Sequence, residues 1–329
     1  MNPPIGPAWA VEALRQAARV TWTIQARQAQ AVDKADRSPV TAADFAAQAV
    51  VTAWLRQHEP TARLVAEEDA ATFRAAPPAV QAAVLEAVRL VLPQADTDAL
   101  PTWLAQGRAE PRGRFWVLDP VDGTKGFLRG AQYAVALALV DGGRVQWGGL
   151  ACPNLAWPAA EAPAAGAALP GWLAVAARGR GAWAAPLAGG PWQRLRVSTV
   201  RDPRAARILR SYEAAHTHGD LIAALARRLG TRQPPVRLDS QAKYVLLAAG
   251  QGDIYLRVPP ASRPDYKEKI WDQAAGALLV EEAGGRVTDL DGRALDFGQG
   301  RVLARNRGVA ATNAALHPAV LQALRDLAA

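Results

Sequence analysis

The chain has 329 residues, half of them hydrophobic, a formal charge of +8 and a single cysteine. Such a length suits two packed domains better than one core, and the lone Cys152 excludes an intrachain disulfide framework or a multi-cysteine zinc site. No uninterrupted run of about 18 apolar residues suggests a membrane span.

The arginines are scattered and form neither a basic block nor an RNA-binding motif. A basic surface around a phosphate-handling cleft therefore accounts for the charge at least as well as nucleic-acid binding does. The opening Met1-Asn2-Pro3-Pro4 has no basic region followed by an apolar stretch, so no secretory signal is expected and the cytoplasm is the default compartment.

Val11, Leu14, Ala18, Val20 and Ile24 recur near helical spacing and predict a helix over residues 8–32. After a polar break at 33–40, a second helix is predicted from Thr41 to about His58. Thr41 and Asp44 have the spacing of a capping pair, which competes with a functional reading of Asp44. Residues 63–66 read as a short strand running into Glu67-Glu68-Asp69, either a solvated turn or a means of delivering acidic ligands to a metal. Residues 77–107 read as a mostly helical excursion, punctuated by Pro93 and Pro101.

The run Arg114-Phe115-Trp116-Val117-Leu118 predicts a buried strand leading into Asp119-Pro120-Val121-Asp122-Gly123-Thr124. Read as a turn, this stretch presents two carboxylates three positions apart, with Pro120 fixing φ between them and Gly123 permitting a reversal. Mg²⁺ prefers oxygen ligands, one or two of them carboxylates. Asp119, Asp122 and the Val121 carbonyl suit such an ion; the plain alternative is an Asp-rich turn closed by its own hydrogen bonds.

Hairpins are predicted at 133–150 about Asp141-Gly142-Gly143 and at 172–187 about Gly181, with an exposed loop at 158–171 and a further strand at 195–197. Beyond Arg201 the pattern alternates: strand 207–209, helix 221–229, helix 244–249, strand 254–258, helix 271–283, strand 308–313 and helix 318–327. That alternation favours a mixed or parallel sheet between helices. Asp272 at a helix start reads as an N-cap in isolation, and Ser240 with Lys243 as a solvated pair on one helical face. His216 and His218, two apart, do not share a helical face and make poor zinc ligands.

Together these stretches resemble the lithium-sensitive, Mg²⁺-dependent phosphatase superfamily that includes inositol monophosphatase. The carriers are the Asp-Pro-Val-Asp-Gly-Thr stretch at 119–124, the Glu67-Glu68 pair upstream and Trp271-Asp272-Gln273-Ala274-Ala275-Gly276 downstream. The strings DGTKGFLRG, SPVTAAD, LDSQAKY, YKEKIWD and LDFGQGR are similar to the 3′(2′),5′-bisphosphate nucleotidase branch. Ala66 replaces a common Gly and Gln273 a common His, departures that bear on substrate preference more than on catalysis.

The resemblance implies a sugar-phosphatase-like α-β-α-β-α sandwich, α+β with an antiparallel sheet in residues 1–200 and α/β with a mixed sheet in 201–329. It implies two to three Mg²⁺ ions: one on Glu67, Asp119 and the Val121 carbonyl, a second on Asp119, Asp122 and Asp272, and a weaker third between Glu67 and Asp44. Thr124, hydrogen-bonded to Asp44, is expected to orient the attacking water. Gly123, Thr124, His218, Ser240, Lys243 and Arg257 are expected to hold a small phosphate ester. Its best reading is adenosine 3′,5′-bisphosphate, with the phosphosulfate analogue as a further substrate and inositol or sugar phosphates as alternatives. The protein is expected to be a monomer or weak oligomer without nucleic-acid or membrane partners.

Overall fold

The computed structural model describes residues 5–30, 38–157, 169–212 and 219–328. Helices α1 (Ala8–Gln30) and α2 (Ser38–His58) come first. Strand β1 (Leu64–Ala66) leads through α3 (Ala70–Ala75), α4 (Pro78–Arg89) and α5 (Ala99–Ala105) to β2 (Arg114–Asp122) and the short α6 (Thr124–Leu128). Then follow β3 (Ala134–Asp141), β4 (Arg144–Pro153), β5 (Gly171–Ala177), β6 (Gly181–Pro186) and β7 (Gln193–Arg194). Among the described residues, β1 to β7 form one sheet in chain order. Only β1 and β2 run parallel in it; every other neighbouring pair is antiparallel.

The second part comprises β8 (Ile208–Arg210), α7 (Gly219–Leu229), β9 (Val236–Arg237), α8 (Ala242–Ala248), β10 (Ile254–Arg257), α9 (Ala274–Glu282), β11 (Gly285–Thr288), β12 (Val309–Asn313) and α10 (His317–Ala328). Its sheet has the order β11-β12-β10-β8-β9. Pairing is parallel on both sides of β8 and antiparallel on both sides of β12, so the sheet is mixed as expected.

The two-residue period of a strand sorts its side chains between layers. On β2, Trp116 and Leu118 pack with Leu14 and Phe45 of α1 and α2. Phe115 and Val117 face the other way, into a core shared with Tyr244 of α8 and Leu278 and Leu279 of α9. The second sheet closes that middle core with Tyr255, Val309 and Ala311. It turns Ile254, Leu256 and Ala310 outward onto Ile222 of α7 and Val320 of α10. The stacking is therefore α-β-α-β-α. Gly276 lets α9 close on α8, because a Cβ there would overlap the Tyr244 ring.

The structure corrects several local expectations. α2 starts at Ser38, so Thr41 and Asp44 lie inside the helix and do not cap it. The strand expected at 195–197 is Gln193–Arg194; Leu195 still donates to Ala182, but the Val197 amide has already turned to Ala283 beyond α9. The helix expected from Trp271 begins at Ala274. The two-residue β9 and the Gly-led β11 have no clear strand pattern in the sequence. The 33–40 break and the 158–171 loop fall largely outside the described residues, as do His216 and His218. Among the described residues no helix is long and apolar enough to cross a membrane.

His317 anchors α10 beneath the second sheet, 1% exposed, between the hydroxyls of Thr312 (2.9 Å to Nδ1) and Thr288 (3.0 Å to Nε2). The Thr288 hydroxyl already donates to the Asp289 carbonyl, so Nε2 carries the proton and donates to Thr288. Burial, aided by Arg286, lowers the His317 pKa to about 4. A depressed histidine pKa means the unfolded chain takes up a proton that the folded chain refuses. The resulting stability is fully present above pH 6.5 and is lost as pH falls towards 4. Urea unfolding of the parent and of His317→Gln across this window should show the parent's advantage shrinking as pH falls; a constant difference contradicts the assignment.

Candidate active site

Asp119 and Asp122 lie on strand β2, which continues through Asp122 where a turn was expected. On a regular strand, residues three apart point to opposite faces. Here Asp119 pairs with Ala136 and Asp122 with Ala134, so three steps of β2 oppose two of β3. This bulge at Pro120-Val121 re-aims the strand and brings both carboxylates to one cavity. Pro120, with no N–H to give a ladder, is suited to the irregular position. Gly123 follows at φ +91°, where a Cβ would come within 2.7 Å of the Ser240 Cβ.

The cavity holds about 270 Å³. Its lining brings together Glu67, Asp119, Val121, Asp122, Gly123, Thr124, Ser240, Lys243, Arg257 and Asp272, every expected site residue among the described ones except Asp44. Asp272 precedes the Gln273 cap of α9, so its carboxylate is not spent on capping. Ser240 and Lys243, read as a solvated pair, are 7% and 2% exposed. Asp44, on α2, does not line the cavity. Burial and the nearby Glu68 and Glu67 raise its pKa well above the usual carboxylate range. No hydrogen bond joins it to Thr124.

Electrostatically the floor is frustrated. Burial, then Glu67, Asp122, Asp272 and Asp44, push the Asp119 pKa well up, and its buried Oδ1 has no hydrogen-bond partner. Burial and Asp122 raise Asp272, and the same two causes raise Glu67 against the pull of Lys269 and Arg301. Asp122 is raised by burial despite Lys243 and the Gln241 amide, which donates to its Oδ2. An all-oxygen set of mutually repelling carboxylates with an orphaned acceptor fits a hard divalent cation. Among the described residues, no three acidic, imidazole or thiolate groups close on one point at ligating distance.

In the same lining, Lys243 Nζ donates to Ser211 Oγ and the Leu238 carbonyl, each at 3.2 Å, and lies 5.3 Å from the Tyr255 ring centre. Burial lowers its pKa to about 8. Arg257 is fixed by Glu268, which accepts from Nε at 3.1 Å and also from Gln273 at 2.8 Å. Ser240 has φ +63°, a conformation that a non-glycine residue keeps only when its surroundings impose it. Gln132 does so, accepting from the Ser240 hydroxyl and donating to the Asp239 carbonyl, each at 2.9 Å.

Three glutamines escaped the sequence reading. Beside Gln132, Gln48 of α2 binds both backbone groups of Glu68: it donates to the carbonyl at 2.8 Å and accepts from the amide at 3.0 Å. Gln241 ties Asp122 to the Trp271 carbonyl at 3.0 Å, one residue before Asp272. A glutamine within an apolar helix or loop carries no motif; only the fold reveals these partners.

The Inositol monophosphatase family model matches residues 7–329. A 3′(2′),5′-bisphosphate nucleotidase of Oryza sativa is 42% identical over 94% of this chain and 93% of its own. One of Emericella nidulans is 41% identical over 90% of each. Among solved structures, an inositol monophosphatase from Anabaena (Nostoc) superposes with a TM-score of 0.62 at 22% identity, covering 97% of this chain and 94% of that one. CysQ from Bacteroides thetaiotaomicron gives 0.60 at 21%, covering 93% and 96%. At such identities the structures establish the shared fold. With a family match that spans the fold and every cavity-lining carboxylate, the chain belongs to the inositol monophosphatase family.

Proposed function

We propose that the protein is a Mg²⁺-dependent phosphomonoesterase that removes the 3′-phosphate of adenosine 3′,5′-bisphosphate. The observation that carries this reading is that Glu67, Asp119, Asp122 and Asp272, from three chain segments, line one cavity together with buried Lys243 and with Arg257. The first set suits the phosphate to be hydrolysed; the second suits a phosphate to be retained. The names of the rice and Emericella relatives support the nucleotide as substrate. The phosphosulfate analogue keeps both features and is a second substrate on the same reading.

Glu67, Asp119, Asp122, Asp272 and the Val121 carbonyl would hold the magnesium, which when bound stabilises charge on attacking and leaving oxygens and lowers the pKa of water. Water forms the new bond to phosphorus, the ester bond to O3′ breaks, and one of the water's two protons ends on O3′ while the other stays on the phosphate, leaving AMP and inorganic phosphate. On this reading Thr124, which lines the cavity after Gly123, orients that water. The helix after Gly123 spans only Thr124–Leu128, so the backbone N–H groups of Gly123 and Thr124, rather than a long helix dipole, are the donors offered to the phosphate. Lys243 and Arg257 hold the 5′-phosphate and thereby fix which ester faces the carboxylates. The sheet of β1 to β7 supplies Glu67, Asp119 and Asp122, and residues beyond 200 supply Asp272 and the nucleotide contacts. We read this as a division of labour between two domains meeting near residue 200.

Phosphate release from adenosine 3′,5′-bisphosphate with Mg²⁺ should exceed that from inositol 1-phosphate at equal concentration; the reverse preference contradicts the nucleotide reading. Lys243→Ala should raise KM by about tenfold or more with kcat little changed, since a hydrogen bond to a charged group is worth roughly 1.5–3 kcal/mol. An equal loss in kcat would instead place Lys243 in the transition state. Asp122→Asn and Asp272→Asn should each abolish turnover, and parent-like turnover in either contradicts the cation site.

A further inference from the structure

The stretch Leu295-Asp296-Phe297-Gly298-Gln299-Gly300-Arg301 belongs to the family resemblance but takes no part in the chemistry above. It straps the layers together. The Phe297 amide donates to the Gly143 carbonyl at 3.1 Å, in the turn between β3 and β4, and the Phe297 side chain is buried in the middle core. Beyond it, residues 301–303 run antiparallel to 268–270. The Ile270 amide donates to the Arg301 carbonyl at 3.2 Å, the Leu303 amide to the Glu268 carbonyl at 2.9 Å, and Lys269 pairs with Val302.

From this short ladder the Arg301 side chain reaches back to the first sheet. Its guanidinium donates to the Ala66 carbonyl and, at 3.4 Å, to the Gly107 carbonyl. The Gly107 carbonyl also accepts the Ala66 amide at 2.9 Å, so Ala66 is held at both of its backbone groups. The guanidinium carbon lies 4.8 Å from the centre of the Trp271 ring. Ala66 immediately precedes Glu67, and Trp271 immediately precedes Asp272.

We propose that Arg301 is a positioning residue for the cation site, one planar group that sets the separation of Glu67 and Asp272 by binding the Ala66 carbonyl before the first and stacking on the Trp271 ring before the second. The inference rests on the reading that these two carboxylates share in holding cations. A guanidinium suits the task because its donors lie in one plane while its face remains free to stack; an ammonium has no such face and no fixed fork. Gln48 completes the arrangement from the other side by fixing Glu68, so Glu67 is held at both neighbours.

Arg301→Lys keeps the charge and the stem and loses the planar fork. Substrate-free calorimetric titration with Mg²⁺ should show its cation affinity lowered roughly tenfold or more, the range for residues that orient metal ligands. The half-saturating Mg²⁺ for phosphate release should rise in parallel, with KM for adenosine 3′,5′-bisphosphate at saturating Mg²⁺ unchanged. Arg301→Gln, which can still donate to one carbonyl, serves if the lysine variant does not fold, with the same expectation. Parent-like cation affinity in a folded variant overturns the role of Arg301 alone, as does a loss of thermal stability with no change in cation affinity. A parent protein that binds no Mg²⁺ in this titration overturns the cation reading and the inference with it.

Discussion

Mutual repulsion among carboxylates is the constraint on which the rest of the site depends. Glu67, Asp119, Asp122 and Asp272 come from the end of β1, the bulged end of β2 and the approach to α9; Asp122 raises the proton affinity of the other three, and Glu67 and Asp272 add to that of Asp119. Left to themselves such groups would separate or take up protons. The fold holds them through neighbouring contacts: Gln48 on the Glu68 backbone, Gln241 between the Asp122 carboxylate and the Trp271 carbonyl, and Arg301 between the Ala66 carbonyl and the Trp271 ring. Stability given up at the floor of the cavity is offset by the packing of the middle layer, where Gly276 lets α8 and α9 close on one another.

The basic wall residues follow a different logic. Lys243 and Arg257 are cations kept among buried groups, one over a tyrosine ring with two oxygen partners and the other on Glu268. Their charge is partly desolvated and interacts more strongly than that of an exposed side chain. Gln273 belongs to this wall. It donates to Glu268 and accepts from the Tyr244 hydroxyl, so its part is to brace Arg257 from beneath. That gives the Gln273 departure from the family pattern a structural place beside Arg257.

Much of this was legible in the chain before any fold was known. The apolar periods located the long helices and the major strands, and the Asp-Pro-Val-Asp-Gly-Thr stretch marked the centre of the site. What misled were local rules applied to residues whose partners are distant. Thr41 and Asp44 have capping spacing, but the helix extends a turn earlier. Asp272 resembles an N-cap, but Gln273 takes that position. Ser240 and Lys243 resemble surface, and the second sheet buries them. The bulge at Pro120-Val121 was beyond reach for a related reason: register is a property of two strands, and β3 decides that Asp119 and Asp122 share a side. Strands of two residues such as Val236–Arg237 carry no period at all.

The most direct measurement is the thermal midpoint of the parent and of Asp119→Asn, each in chelator and then in excess Mg²⁺. Asp119 is the carboxylate that burial and all four acidic neighbours work against, and its inner oxygen lacks a partner. If these carboxylates are held together for a cation, Asp119→Asn will be no less stable than the parent in chelator. Mg²⁺ will then stabilise the parent, by about 2.7 kcal/mol at a hundredfold excess over its dissociation constant, and leave the variant unmoved. A parent indifferent to Mg²⁺, or a variant destabilised in chelator yet equally responsive to the ion, would contradict a site built around that repulsion.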